Sequence, residues 1–247
     1  MGRIGHPFID LEEVDSTNLY AERMLRKGSV EEGTVIRAKF QTAGKGQGDN
    51  RWESEPRQNL TFSIVLHPRF LPPGHQFLIN KAISLGVLDF LSAYVDGATV
   101  KWPNDILIGS KKIGGILIQH IVEGETLETT IVGIGLNVNQ TKFDQHLPQA
   151  VSLFLILHRE LELKEALILL CNALEKRYSL LRVNETEKLE SDFCHVLLNY
   201  QEEKPFLVDG REIPGTIQGV DEFGRLLVQH PGRPVKAYAH GEIGYLL

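Results

Sequence analysis

The segment DILIGSKKIGGILIQHIVEGETLETTIVGIGLNVN, residues 105–139, decides the fold. Three apolar runs, rich in the β-branched residues that favour strands, are separated by short turns at Gly109-Ser110 and at Glu123-Gly124-Glu125. Turns this short join antiparallel neighbours, because a parallel pair needs a crossover of a dozen or more residues. The segment therefore predicts an antiparallel or mixed sheet rather than a doubly wound parallel one.

Helical patterns flank this sheet segment on both sides. Residues 75–94 place Ile79, Ile83 and Phe90 at helical spacing, and residues 161–200 carry two leucine-rich stripes. A further helix is predicted over 15–28, and strands over 34–40 and 60–66. The expected fold class is α+β, with helices packed on one face of the sheet and the site on its other face.

The last part of the chain changes character after Glu202. Short alternating runs are separated by Asp209-Gly210, Pro214-Gly215, Phe223-Gly224 and Pro231-Gly232. This pattern predicts a small β-barrel or sheet of about 45 residues, which is too small to fold independently with ease. We expect two domains, residues 1–200 and 201–247, with the smaller one leaning on the larger.

The bulk properties exclude several classes of partner. The chain has 247 residues, a net charge of −6, and no apolar stretch of membrane-spanning or signal-peptide length. An acidic chain has no general attraction to nucleic acid or to anionic membranes. Its two cysteines, Cys171 and Cys194, lack metal-ligand spacing, which favours reduced thiols in a cytoplasmic protein.

A glycine-rich loop, QTAGKGQGDNRW (residues 41–52), is the first candidate site. It matches neither the dinucleotide-binding fingerprint nor the Walker loop, since its glycines alternate and no helical period follows. Alternating glycines can direct backbone N–H groups at an anion, and Lys45 and Arg51 add positive charge. An ordinary flexible hairpin loop explains the same residues equally well.

Two further stretches are candidates. In KWPND (101–105), Asp105 could pair with Lys101 or bind Mg²⁺, although Pro, Asn and Asp are also common in a strand-ending turn. Lys112 precedes Gly114 and Gly115, which permit close approach by a ligand. Lysines at a hairpin edge also discourage sheet-to-sheet pairing, and we favour that explanation for Lys111.

The order and spacing of these motifs are more specific than any one of them. The succession DSTN, QTAGKGQ with Trp52, KWPND, Lys112 before GGIL, and GIGLNVN resembles the biotin protein ligases. The C-terminal GVDEFGRLLVQ and GEI resemble the small SH3-like end domain of that family. The resemblance runs from about residue 8 to 247. It implies a class II synthetase-like ligase fold, with biotin and ATP as substrates and Mg²⁺ as cofactor.

The resemblance also implies a role for each matching residue. Lys112, which would bridge the biotin carboxylate and the α-phosphate, and Lys45 are the expected catalytic residues. The expected biotin-binding residues are Ser16, Thr17, Asn18, Gln41, Gly44, Lys45, Gly46, Gln47, Gly115 and Lys112. On the nucleotide side the expected residues are Trp52, Lys101, Asn104 and Asn137, with Asp105 as a magnesium ligand.

The glycine loop departs from the family pattern, which usually reads GRGRxGRxW. Lys45 keeps a charge but lacks the bidentate fork of arginine, and Gln47 and Asn50 carry no charge. We therefore expect looser retention of biotinyl-5′-AMP than in an arginine-loop ligase.

The implied partner is the biotin carboxyl carrier protein of a biotin-dependent carboxylase. The pattern begins within the first twenty residues, so no DNA-reading module is expected, and two copies of the chain could pair through the sheet. A lipoate-type protein ligase shares the fold and the adenylation chemistry, and a non-catalytic biotin or adenylate sensor is a third alternative. KWPND with GGIL favours biotin.

Overall fold

The computed structural model describes residues 3–145, 147 and 149–246. Within these residues the larger sheet consists of β1 (Phe8–Leu11), β2 (Val35–Ala38), β3 (Leu60–Leu66), β4 (Ala98–Lys101), β5 (Asp105–Ile108), β6 (Lys111–Glu123) and β7 (Thr126–Leu136). The helices are α1 (Thr17–Lys27), α2 (Phe77–Leu91), α3 (Leu153–Leu157), α4 (Leu163–Arg182) and α5 (Thr186–Val196). The chain closes with β8 (Glu203–Val208), β9 (Arg211–Val220), β10 (Leu226–Gln229), β11 (Val235–Tyr238) and β12 (Ile243–Tyr245).

The larger sheet is mixed, as predicted. Its order is β1-β2-β3-β7-β6-β5-β4, with β1 and β2 parallel and the other neighbours antiparallel. Both predicted turns are confirmed: β5 leads into β6 at Gly109-Ser110, and β6 into β7 at Gly124-Glu125. Gly109 and Gly124 have φ values of 58° and 60°, a left-handed conformation that glycine adopts at little cost.

The two faces of the sheet carry different helices. On one face, Phe62 and Ile64 of β3 belong to the main core, where α2, α4 and α5 pack on one another. On the other face, Val65 of β3 belongs to a smaller cluster with Ala21 of α1. The predicted arrangement therefore holds for α2, α4 and α5, whereas α1 lies on the opposite face, beside the site. The reason is that the apolar stripe of α1 meets strand residues that point away from the main core.

Helices α2 and α4 pack closely. A Cβ added at Gly86 of α2 would lie 2.9 Å from the Cα of Leu174, so only glycine allows this approach. The predicted stripe Leu167, Leu170 and Leu174 is buried there. Burying a leucine side chain stabilises the fold by about 1.5–3 kcal/mol relative to exposing it, so these three leucines make the helix layer a substantial contributor to the stability of the fold.

The predicted C-terminal β unit is a five-stranded antiparallel sheet with the order β11-β10-β9-β8-β12. Hydrogen bonds from two side chains attach it to the turn before β5 and to α2: Trp102 Nε1 donates to the Gly224 carbonyl at 2.9 Å, and Lys81 Nζ donates to the Val220 carbonyl at 3.2 Å. Lys81 is buried and also pairs with Glu190 of α5 at 2.6 Å. These contacts hold β12 next to the larger sheet.

Both cysteine thiols are free, and burial raises the pKa of Cys171 to about 12, so its reactive thiolate is disfavoured. Among the residues that the structure describes, no helix has the length and apolar character needed to cross a bilayer.

Candidate active site

A cleft of ≈ 550 Å³ lies on the α1 side of the larger sheet. It brings together residues that are far apart in sequence, from α1, the glycine loop, the β4–β5 turn, β6, β7 and β12. Most of the predicted site residues line it: Ser16, Thr17, Asn18, Gln41, Lys45, Gly46, Gln47, Trp52, Lys101, Asn104, Asp105, Lys112 and Gly115. Gly44 and Asn137 are not among the lining residues.

One end of the cleft is neutral and rich in hydrogen-bonding groups. Gln41 Oε1 accepts from the Thr17 backbone N–H at 2.8 Å, which fixes the Gln41 side chain against the start of α1. The Asn18 amide is held by protein on both sides: Oδ1 accepts from Ser63 at 2.5 Å and Nδ2 donates to Gln119 at 2.7 Å. Asn18 lines the cleft, and its predicted contact with the ligand stays a prediction, while these bonds show that its amide also orients neighbouring side chains.

The glycine loop folds back on itself. Gly46 N–H donates to the Asn50 carbonyl at 2.8 Å, Trp52 N–H donates to the Gly44 carbonyl at 3.0 Å, and Lys45 forms an antiparallel bridge with Arg51. A Cβ at Gly44 would overlap the Trp52 carbonyl, so glycine at 44 serves the loop fold rather than the ligand. The loop thus presents Lys45 and Arg51 side by side at the cleft. The expected looser retention of the adenylate stays a prediction.

The Trp52 ring packs directly on Gly115 and Gly135 of the larger sheet. A Cβ at Gly135 of β7 would overlap its indole, and one at Gly115 of β6 would lie 3.4 Å from Trp52 Cζ3. The glycines of GGIL and GIGLNVN therefore let a flat ring lie directly on the strands. Trp52 Nε1 is buried and has no hydrogen-bond partner. Because a buried N–H without a partner is costly, this donor is suited to an acceptor on a bound ligand.

Lys112 occupies an irregular point of the sheet, where the β5–β6 register shifts between Ile106 and Leu107. Its backbone is clamped: its N–H donates to the Gln149 carbonyl at 2.6 Å, and its carbonyl accepts from Val151 N–H at 2.9 Å. Its ammonium group pairs with Asp105 at 2.6 Å and lies 5.9 Å from the centre of the Trp52 ring. The fixed backbone directs the flexible side chain into the middle of the cleft.

Asn137 was predicted to contact the nucleotide, and it is not among the residues that line the cleft. It is buried, and its Nδ2 donates to the Val151 carbonyl at 3.0 Å. Since Val151 N–H in turn bonds to Lys112, Asn137 supports the strand that carries Lys112.

The C-terminal sheet supplies a wall of the cleft that the sequence did not predict. Tyr245 and His240 line it; Lys101 Nζ lies 5.6 Å from the centre of the Tyr245 ring, and the His240 ring is 6.1 Å from that of Trp102. Burial raises the pKa of Tyr245 above its usual value, so its hydroxyl stays protonated at neutral pH. In the sequence, Tyr245 stands in the segment GEIGYLL, which predicts only a short strand and gives no indication that this strand lines the cleft.

The charge of the cleft is opposite to that of the whole chain. Lys45, Arg51, Lys101 and Lys112 line it, and Asp105 is the single carboxylate among its described lining residues. A concave surface with excess positive charge concentrates anions even on an acidic protein. The cleft is therefore suited to a ligand with an anionic part and a neutral, hydrogen-bonding part.

Comparison with known proteins shows which family uses this arrangement. Residues 11–137, half of the chain, match the model of the biotin/lipoate A/B protein ligase family. The chain belongs to this family. The matched range contains the helix α1, the glycine loop, the KWPND turn and Lys112, and it stops before the C-terminal wall.

Relatives in this family differ in length. The chain is 33% identical over 144 residues to the bifunctional ligase/repressor BirA of Bacillus spizizenii, a match that covers 57% of this chain and 43% of that protein. It therefore spans less than half the length of that relative. It is 26% identical over 239 residues to the biotin–[acetyl-CoA-carboxylase] ligase of Mycobacterium tuberculosis, covering 95% of this chain and 87% of that one.

Solved structures agree with the family assignment. The biotin protein ligase of Aquifex aeolicus, in complex with biotin and ATP, superposes with a TM-score of 0.78 at 26% identity, covering 97% of this chain and 98% of that one. The likeness extends over both sheets, so the predicted ligase fold is confirmed.

Among its described lining residues, the cleft offers a metal ion one carboxylate, that of Asp105. In the described part of the chain, no group of three or more His, Cys, Asp or Glu side chains could hold one. Asp105, the predicted ligand, is paired with Lys112. One carboxylate suffices for Mg²⁺ when nucleotide phosphates and water supply the other ligands. The donor set thus fits Mg²⁺ that arrives with ATP.

Proposed function

We propose that this chain attaches biotin to a specific lysine of a biotin carboxyl carrier protein at the expense of ATP. In the first step, a carboxylate oxygen of biotin attacks the α-phosphorus, the bond to the leaving oxygen breaks, and pyrophosphate departs. In the second, the carrier lysine amine attacks the acyl carbon of biotinyl-5′-AMP, the acyl–oxygen bond breaks, AMP departs and the nitrogen loses a proton. The product is an amide.

The observation that carries this proposal is the division of one cleft into a neutral end and a cationic end, with Lys112 between them. Thr17 and Gln41 provide hydrogen-bonding groups at one end, and Lys101 lies at the other. A molecule with a polar ring and a carboxylate, lying beside a nucleoside triphosphate, matches both ends. The complex of the Aquifex aeolicus ligase with biotin and ATP supports these two substrates.

Lys112 is the proposed catalytic cation. Both carboxylate and α-phosphate are negative, so they approach each other only when fixed positive charge offsets their repulsion. The Asp105 pair holds the ammonium group in the cleft, and exchange of Asp105 for the reacting anions would keep it paired. Lys45 would add charge from the loop, with Trp52 closing over the adenylate and excluding water from it. Mg²⁺ would supply further neutralisation of the phosphates.

The carrier is proposed from relatives that act on acetyl-CoA carboxylase by their names. The free edge of β6 supports a docking place, since among the described residues β5 pairs with β6 only as far as Gly115. Beyond it, Ile121 and Val122 are 41% and 47% exposed. An extended carrier segment could add a strand there, and pairing of two copies would use the same edge.

We further propose a division of work between residues 1–200, which hold biotin and most of the ATP site, and residues 201–247, which close the nucleotide end. The setting proposed for this reaction is the cytoplasm, where the carboxylases and reduced thiols are found.

Biotin-dependent exchange of labelled pyrophosphate into ATP tests the proposal. The purified chain is expected to catalyse exchange with biotin and not with lipoate, and then to label a carrier domain. Exchange with lipoate alone would establish the lipoate-ligase alternative. Tight binding of biotin and ATP without exchange or labelling would establish the sensor alternative.

A further inference from the structure

We propose that a one-way chain of hydrogen bonds from the Glu22 carboxylate through Gln119, Asn18 and Ser63 makes Thr17 an obligate acceptor toward the cleft. This Glu22–Thr17 chain selects a ligand ring that donates N–H and accepts through a carbonyl, which is a cyclic urea. It rests on the proposed function and adds positioning residues that do not touch the ligand.

The direction of the chain is fixed at its outer end. Glu22 on α1 carries a carboxylate, which only accepts hydrogen bonds, so Gln119 Nε2 donates to it at 2.9 Å. The Gln119 amide is thereby oriented, and its Oε1 faces Asn18 Nδ2 at 2.7 Å. A second acceptor, the Leu117 carbonyl, lies 3.5 Å from the same nitrogen. Asn18 must therefore donate on this side and accept on the other.

Ser63 passes the direction on. It is fully buried on β3, and its Oγ lies 2.5 Å from Asn18 Oδ1 and 2.7 Å from Thr17 Oγ1. A hydroxyl has one proton, and Asn18 Oδ1 can only accept, so Ser63 donates there. The Thr17 hydroxyl then donates its proton within the protein, either to Ser63 Oγ or to Gln41 Oε1, which lies 3.1 Å away. In both cases Thr17 turns lone pairs to the cleft.

Gln41 supplies the opposite polarity. Its Oε1 already accepts from Thr17 N–H, and the described structure gives its Nε2 no hydrogen-bond partner. The neutral end of the cleft thus presents an acceptor at Thr17 and a donor at Gln41. A cyclic urea carries the complementary N–H and C=O groups, whereas the dithiolane ring of lipoate carries neither.

The strand backbone beneath the Glu22–Thr17 chain leaves space for the Asn18 side chain. Ser63 of β3 and Gly133 of β7 are directly paired in the sheet. A Cβ at 133 would overlap Asn18 Oδ1, so glycine leaves the room in which the Asn18 amide meets Ser63.

Two single variants test the chain by biotin-dependent pyrophosphate exchange. Ser63→Ala removes the hydroxyl that links Asn18 to Thr17. Glu22 is half-exposed on α1, and Glu22→Lys replaces its hydrogen-bond acceptor by a donor, which opposes the native direction of the hydrogen bonds. Each is expected to raise the KM for biotin roughly 5- to 10-fold, the effect of losing about one hydrogen bond. The KM for ATP and kcat should stay within twofold of wild type. Glu22→Gln should have a smaller effect than Glu22→Lys. A glutamine amide can still accept the hydrogen bond from Gln119, but because it can also donate, it no longer fixes the direction of the hydrogen bonds.

A double-mutant cycle separates positioning from a general structural role. If Ser63 acts through Thr17, then Ser63→Ala in a Thr17→Val background should raise the KM for biotin less than twofold further. Additive losses, or a parallel rise in the KM for ATP, would overturn the proposal.

The outcomes distinguish the two proposals. A wild-type chain without biotin-dependent exchange would refute the proposed function. An active wild type whose Ser63→Ala and Glu22→Lys variants bind biotin within twofold of it would refute the Glu22–Thr17 chain alone. Should Ser63→Ala fail to fold, Glu22→Lys decides, since it changes a half-buried residue on α1 and leaves the buried Ser63 side chain in place.

Discussion

Replacing Lys112 by alanine should abolish most of the adenylation activity while leaving the fold intact. The side chains of Lys112 and Asp105 are 40% and 26% exposed, so their pair contributes only about 0–1 kcal/mol to folding. The effect on catalysis should be larger. An ammonium about 4 Å from a reacting anion, at an effective dielectric constant near 20, contributes about 4 kcal/mol, which is roughly a 10³-fold change in rate.

The assay is biotin-dependent pyrophosphate exchange, with Lys111→Ala as the matched control. Lys111 is the neighbouring residue, is exposed, and does not line the cleft, so the control makes the same change in net charge. Lys112→Arg keeps the charge and should retain more activity than Lys112→Ala. Exchange by a folded Lys112→Ala variant within tenfold of wild type, or equal losses in both alanine variants, would refute the proposed role.

Four further predictions concern other parts of the molecule. Tyr245→Leu removes the ring beside Lys101 and should raise the KM for ATP about 2- to 10-fold. Tyr245→Phe keeps the ring and should retain most of the affinity for ATP. Equal rises in the KM values for ATP and for biotin would contradict this. Gly135→Ala should displace Trp52 and so speed the release of biotinyl-5′-AMP, which is measured as the dissociation rate of the labelled adenylate. An unchanged rate would contradict the role of Gly135 in seating the Trp52 ring. The hydrogen bond from Arg23 lowers the pKa of Asp15 to about 2, from 3.8, so its stabilisation is present above about pH 4 and lost as the pH falls through 2. In urea denaturation, Asp15→Asn should therefore be less stable at pH 7 by about 0.2–1 kcal/mol and equal to wild type at pH 2; a gap that persists at pH 2 would argue against the pair. With a net charge of −6, the chain should not shift a DNA duplex in a gel with biotin and ATP present, and a shifted band would contradict this.

The sheet was predictable because its signals are local. Two short turns with glycines at positive φ, at Gly109 and Gly124, fix the antiparallel order of β5, β6 and β7. The opposite placement of α1 was not predictable, because it depends on which face of β3 its stripe of Ala21 meets, and a sequence pattern shows only that a stripe exists.

Within the site, motif residues were predicted and supporting residues were not. Ser63 lies in LTFSIVL, an otherwise apolar strand, where a buried serine is a common occurrence. Its importance depends on a contact with Asn18, 45 residues away in the sequence, which only the fold brings about. Asn18 and Asn137 show that motif residues also serve the protein itself: the oxygen and the nitrogen of the Asn18 amide are both bonded to protein, and Asn137 Nδ2 donates to the Val151 carbonyl.

The C-terminal wall extends this argument to a whole domain. Trp102 belongs to the KWPND turn, whose Lys101 and Asp105 line the cleft, yet its indole N–H bonds to the Gly224 carbonyl of the C-terminal sheet. A Cβ at Gly224 would lie 2.6 Å from Phe77 of α2, so this turn of the small sheet fits tightly against the helix layer. The same five-residue turn therefore lines the proposed nucleotide end of the cleft and docks the sheet that brings Tyr245 next to Lys101. Since the same residues dock the C-terminal sheet and line the proposed nucleotide end, loosening that sheet should weaken ATP binding before it affects biotin binding, whose proposed contacts Thr17 and Gln41 lie on α1 and on the loop after β2.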